Sequence, residues 1–206
     1  MKNIRNQLDK YAELAIKTGV NLQEEQTLVI KAPITAADFV RVVVKTAYET
    51  GAGHVHVEWE DDQLRRIKVL HAPEASIESF PEWKADALAE YAKAGAAFLF
   101  VLSRNAELIK GTDPKRAGLQ MKAETGLLQK VRAFTRTAKV SWAIVGVPSS
   151  DWAAKVLPDL EQEKQVEQLW EAIFRANRVD RDDPLEVWRE HLAHLKRTRE
   201  TLNEKK

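Results

Sequence analysis

The stretch QTLVIKAPITAADFVRVVVKTAYETGAGHVHVEWE, residues 26 to 60, decides the fold class. It opens with a β-branched run at 26 to 31, continues with a helix-start signal at 35 to 38 and a helical segment, and reaches a stop at Gly51. Residues 54 to 59 then alternate Val and Trp with polar residues, which predicts a second strand. Two strands joined by a single helix predict a βαβ unit, and such crossovers form parallel sheets.

The same alternation of strands and helices continues downstream. AFLFVL at 97 to 102 and VSWAIVGVP at 140 to 148 are continuous apolar runs, typical of strands covered on both faces, so we expect Phe100 and Val145 to be buried. Helical patterns cover the intervening segments at 61 to 72, 81 to 95 and 113 to 137. The sequence therefore predicts an α/β fold with an open, mainly parallel four-stranded sheet, flanking helices and a helical C-terminal extension.

Helices are also predicted at both ends of the chain. The first seventeen or so residues form an amphipathic pattern, with Gly19 at the position of a C-cap. Two amphipathic stripes follow the last strand: Val166, Leu169, Trp170 and Ile173, then Leu185, Trp188, Leu192, Leu195 and Leu202. We expect these two helices to pack against each other. We divide the chain into an α/β domain at 1–160 and a helical extension at 161–206, which has no stop signal and is expected to lead toward a further domain.

Composition excludes several classes of protein. The 206 residues carry 32 Lys and Arg against 31 Asp and Glu, a net charge of +1, which does not indicate a nucleic-acid-coating protein. There is no cysteine, so disulfides, thiolate metal sites and a cysteine nucleophile are excluded. No apolar run approaches the roughly 20 residues that span a bilayer, and the N-terminus does not resemble a signal peptide. We therefore expect a cytoplasmic protein without membrane or nucleic-acid partners.

Histidines and acids are the candidate ligands for a metal or a reacting group. His54 and His56 would share a strand face, and His191 and His194 a helix face, but neither pair has a third ligand or an HExxH context. His71 stands alone. Surface histidines are the simpler interpretation. The acids Glu58, Glu60, Asp61 and Asp62 follow a strand end, where α/β sheets bind ligands, but Asp61 and Asp62 also fit the cap of the next helix.

Other chemical motifs are absent, and one charged segment remains. There is no GxxxxGK phosphate loop or GxSxG elbow, and Ser149 to Asp151 fits a helix cap. Residues 110 to 139 carry eight bases against two acids, whereas residues 58 to 90 carry nine acids against four bases. A solvated helix face is the simpler interpretation of the basic segment. We interpret Trp142, Trp170 and Trp188 as core anchors.

Three long stretches carry a family resemblance: residues 57 to 99 (VEWEDDQL…AGAAFL), 140 to 158 (VSWAIVGVPSSDWAAKVLP) and 167 to 203 (EQLWEAIF…TRETLN). With LDKYAELAIKTGVNL at 8 to 22, they resemble the thermophilic metalloprotease family of aminopeptidases, which includes aminopeptidases T, S and II. The resemblance implies an N-terminal α/β domain followed by a catalytic domain that binds two divalent metal ions (zinc, cobalt, manganese or magnesium), peptide substrates and a homodimer. No residue here corresponds to the family's metal ligands, so we assign no catalytic, cofactor-binding or metal-binding residue.

Two functions follow as hypotheses. In the first, the chain is the N-terminal portion of a two-metal-dependent aminopeptidase and is by itself an inactive scaffold. In the second, it is a free-standing α/β binding module that holds an acidic partner through the basic helix at 110–139.

Overall fold

The computed structural model describes residues 2–103 and 108–204. Its strands β1 (Thr27–Pro33), β2 (His54–Glu60), β3 (Ala97–Leu102) and β4 (Trp142–Gly146) form one sheet in the order β2-β1-β3-β4. Every neighbouring pair is parallel, with Ile30 opposite Val57 and Val101 opposite Val145. The predicted four-stranded parallel sheet is confirmed.

Helices flank this sheet. Those of the described residues are α1 (Lys2–Leu14), α2 (Ala37–Glu49), α3 (Asp62–His71), α4 (Glu74–Glu78), α5 (Glu82–Lys93), α6 (Pro114–Arg136), α7 (Ser150–Val156), α8 (Gln162–Ala176) and α9 (Pro184–Asn203). A π-helical turn at Ala15–Gly19 extends α1, and a 3-10 turn at Ile34–Ala36 precedes α2. The short helix α4 has no counterpart in the sequence-based expectation.

The two faces of the sheet belong to different clusters of buried side chains, as the two-residue repeat of a strand requires. On β1, Leu28 and Ile30 belong to a large core with α1, α2 and α8, whereas Val29 joins Phe98, α5 and α6 on the opposite face. Val145 is buried, as predicted. Phe100 is only partly buried, packed at the edge of the smaller cluster.

Two residues or segments that the sequence predicted to be helix caps have other roles in the structure. Gly19 is not a left-handed C-cap. It is the last residue of the π-helical turn, and a Cβ there would lie 3.2 Å from the Cβ of Ala143 on β4, so glycine permits close approach to the sheet. The start signal at 35 to 38 is likewise not a side-chain cap, because α2 begins after Ala36 without a side-chain hydrogen bond. Gly51 does end the α2 region with a φ of 103°.

The C-terminal helices do not pair as the sequence suggests. Leu169 and Ile173 of α8 are already buried in the large core beside the sheet, so its apolar stripe is not free for α9. Instead, α9 packs on α1 and on the π-helical turn, and its residues Leu185 and Trp188 pack against the large core. The rest of the α9 stripe, Leu192, Leu195 and Leu202, is 47%, 49% and 60% exposed. The expected docking of α9 on its own chain holds for the first half of the helix only.

Candidate functional site

A small cleft of about 80 Å³ lies at the carboxyl edge of the sheet. Segments that follow all four strands line it: Pro33–Thr35, Glu60–Gln63, Ser103, and Ser149 with Asp151. In the order β2-β1-β3-β4, the chain leaves β1 toward β2 on one side and later reaches β3 on the other. Open α/β sheets bind ligands at such a change of direction. The acidic residues singled out in the sequence therefore lie at the expected edge.

Structural contacts account for the two aspartates at this edge. The Asp61 carboxylate caps α3, accepting hydrogen bonds from the backbone N–H groups of Gln63 at 2.8 Å and Leu64 at 3.3 Å. Asp62, in the first turn, forms an ion pair with Arg65 at 3.0 Å. Burial raises the pKa of Asp62, an effect that the Arg65 guanidinium opposes. The predicted capping role is confirmed for Asp61.

The two glutamates at the end of β2 are paired with lysines. Glu60 lies 3.0 Å from the ammonium of Lys31 on β1, and Glu58 forms an ion pair with Lys84 of α5. The sequence analysis did not select these two lysines as candidates. Lys31 could have been selected, since a charged residue at the end of an otherwise apolar strand run is unusual. Each acid of the cluster thus has a structural partner within the chain.

The histidines do not converge. His54 is exposed at the start of β2, while His56 stacks on Tyr91 with ring centroids 5.2 Å apart. The rings of His191 and Trp188 form a T-shaped pair with centroids 5.6 Å apart, and His194 is exposed. His71 is exposed at the end of α3.

A metal site of the kind the family resemblance implies does not fit these side chains. Among residues 2–103 and 108–204, no group of three or more His, Asp or Glu side chains could hold a metal ion. We assign no step of a metal-dependent reaction to them. No helix in the same described ranges has the length and apolar character needed to cross a membrane.

The basic segment faces the acidic segment of the same chain. Along α6, Lys115 and Lys122 pair with Glu74 and Glu78 of α4, at 2.8 Å and 2.6 Å. Lys130 pairs with Asp86 of α5. Arg116 donates to the backbone carbonyls of Val69, at 2.7 Å, and Ala72, both at the end of α3. Much of the predicted charge asymmetry is therefore neutralised within the molecule.

An apolar groove beside β4 was not predicted. It has a volume of about 420 Å³ and is lined by Phe100, Leu102, Val131, Arg132, Thr135, Arg136, Trp142 and Ile144. Trp142 is 46% exposed there, so its interpretation as a core anchor is wrong, whereas Trp170 and Trp188 do pack against the large core. The reason is that β4 is an edge strand whose outer face has no covering helix among the described residues.

Comparison with known proteins decides the family. The profile of the thermophilic metalloprotease (M29) family matches residues 4–206, nearly the whole chain. The chain belongs to the M29 family. Aminopeptidase 2 of Geobacillus stearothermophilus is 46% identical over 205 residues, covering 100% of this chain and 50% of that protein. Aminopeptidase T of Thermus aquaticus is 37% identical over 199 residues, covering 97% and 49%.

A solved structure agrees with this assignment to M29. Wild-type AmpT from Thermus thermophilus superimposes with a TM-score of 0.85 at 34% identity, covering 91% of this chain and 46% of that one. The chain spans about half the length of the curated M29 relatives that it matches. The resemblance read from the sequence is confirmed at the level of family and fold.

Proposed function

We propose that this chain is the N-terminal portion of a two-metal-dependent aminopeptidase that removes N-terminal residues from peptides. The observation that carries the proposal is that nearly the whole chain matches only half the length of proteins named aminopeptidases, at 46% identity in one case. In this proposal the metal-binding residues belong to the half that the chain does not span. The division at 1–160 and 161–206 and a homodimeric complete protein stay predictions.

The role proposed for this domain is to form a wall of the substrate cleft and to position the catalytic domain. The family fold and the paired charges at the carboxyl edge of the sheet support a scaffold: Asp61 is a helix cap, and Glu58 and Glu60 are held by lysines. A chain without cysteine is compatible with the reducing cytoplasm, which is the compartment we propose.

The alternative function, a binding module that uses the basic helix, has less support. Lys115, Lys122 and Lys130 of α6 already pair with acids of α4 and α5. At these three lysines, an external acidic partner would have to compete with intramolecular ion pairs.

The test compares two proteins: this chain alone, and a chimera in which it replaces the matched half of Aminopeptidase 2. Aminoacyl anilides serve as substrates, with zinc, cobalt, manganese or magnesium added separately. We expect turnover by the chimera, lost on chelation and restored by metal, and none by the chain alone, because two-metal hydrolysis needs several ligands that converge on the ions. Chelator-sensitive turnover by the repurified chain would refute the scaffold role. A folded but inactive chimera would count against the aminopeptidase assignment.

A further inference from the structure

We propose that the groove beside β4 binds an acidic amphipathic helix of another polypeptide. The floor of the groove is formed by Phe100 and Leu102 of β3 and by Trp142 and Ile144 of β4. Leu102, Trp142 and Ile144 are 40%, 46% and 54% exposed. Leaving an apolar sheet face of this kind exposed to water is unfavourable, and covering it would lower the free energy. Contiguous exposed apolar surface marks interaction sites.

The layer that covers this face of the sheet indicates a helix as the occupant. Helices α5 and α6 already pack over Val29 and Phe98, and α6 forms one wall of the groove. That wall consists of residues 131, 132, 135 and 136, one face of a helix by spacing. The groove lies next to α6 and above β4, at the position where one more helix would continue this layer. The five residues of β4 span about 17 Å, the length of about eleven helical residues.

The positive charge on the wall of the groove favours an acidic helix as the occupant. Arg132 and Arg136 stand one turn apart on the wall of the groove, are exposed, and form no ion pair with any carboxylate in the described part of the chain. They differ in this from Lys115, Lys122 and Lys130, which are paired. Guanidinium groups bind carboxylates in a bidentate geometry, so Glu or Asp on the flank of a docked helix would satisfy them.

The same charges disfavour a second copy of this chain as the occupant. A two-fold contact of the groove with itself would place Arg132 and Arg136 of both copies in one interface. Like charges facing each other across an interface oppose binding. Charge complementarity therefore indicates a partner that is acidic beside its apolar stripe.

The test uses two labelled helical peptides of about 18 residues, a length that exceeds the groove. They share one leucine stripe and differ only in flanking residues, Glu in one and Lys in the other. Fluorescence anisotropy at low salt should show saturable binding of the Glu peptide and at least about tenfold weaker binding of the Lys peptide, with the difference reduced in high salt.

Variants locate the interaction. Arg132→Glu with Arg136→Glu should reverse the preference between the peptides, and Ile144→Ala should weaken binding of both, since it removes apolar contact. The matched control, Lys196→Glu with Arg197→Glu on the exposed part of α9, changes the same charge outside the groove and should leave binding unaltered. Far-ultraviolet circular dichroism verifies that each variant is folded.

Several outcomes would overturn the proposal. These are absence of saturable binding, equal binding of both peptides, or an unchanged preference in the Arg132 and Arg136 variant. Self-association that Ile144→Ala abolishes would assign the groove to a second copy. Binding to this chain but not to the chimera with Aminopeptidase 2 would assign the groove to the other half of an M29 polypeptide and exclude a separate partner.

Discussion

Tyr11 links the first helix to the edge of the sheet. Its ring is 1% exposed and stacks on Phe39, with centroids 5.2 Å apart. Its hydroxyl accepts a hydrogen bond from the N–H of Gly146 at 3.1 Å and donates to the Gly146 carbonyl at 3.3 Å, so it satisfies backbone groups of edge strand β4. Tyr11→Phe should lower the free energy of unfolding by about 1 to 3 kcal/mol, the cost of leaving buried polar groups unpaired. Urea denaturation measures the effect, with Tyr91→Phe as the control, and equal losses in both variants would contradict it.

The same hydroxyl predicts a loss of stability in alkali. Burial raises the pKa of Tyr11 to about 12, although the bond to Gly146 lowers it, and an unfolded tyrosine titrates near pH 10. Between about pH 10 and pH 12 the unfolded chain releases this proton while the folded chain retains it, so stability falls as pH rises. The stability difference between wild type and Tyr11→Phe should shrink by up to about 3 kcal/mol across that window. A difference that does not change with pH would rule out this linkage.

Among the elements, α6 is held to α3 and α4 by contacts of different kinds. Arg116 is half-buried and donates to carbonyls at the end of α3, groups that have no partner within their own helix. Arg116→Ala should therefore cost about 1.5 to 3 kcal/mol, the range for hydrogen bonds from a charged donor. Lys122 forms an exposed pair with Glu78, and Lys122→Ala should leave the denaturation midpoint unchanged because solvent screens such pairs. Equal effects of the two substitutions on the urea midpoint would refute this distinction.

The strands and most helices follow from sequence periodicity, but their surroundings do not. The run at 140 to 148 predicts a strand correctly, because a short apolar run that is rich in Val and Ile and ends at a Pro is typical of one. Whether Trp142 is covered depends on a neighbouring helix, which no property of the strand reveals. In the same way, the sequence shows an acidic and a basic segment but not that α4 and α5 lie beside α6, since that follows from how the crossover packs on the sheet.

In the molecule as a whole, α9 is attached to the rest of the chain by a few contacts near its first turns. The indole N–H of Trp188 donates to the Asn177 carbonyl at 2.8 Å, and the Arg178 guanidinium lies 5.2 Å from the ring centroid. Lys10 of α1 donates to the carbonyls of Arg181 and Asp182, at 2.8 Å and 3.0 Å, just before α9 begins. These contacts all lie at or before the first half of the helix, so its second half has little to hold it to this chain.

Replacing Trp188 should therefore release α9 from the body of the molecule. Because Trp188 is half-buried, we expect Trp188→Ala to cost about 2 to 4 kcal/mol, somewhat less than full truncation of a buried aromatic. Leu195→Ala, at a side chain that is 49% exposed, should leave stability nearly unchanged and serves as the matched control. Hydrogen exchange should show faster exchange across all of α9 in the Trp188 variant, and only in its second half in wild type. Sedimentation at several concentrations tests the opposite explanation: if wild type self-associates strongly and Trp188→Ala is monomeric with equal stability, the helix packs on a second copy and not on α1.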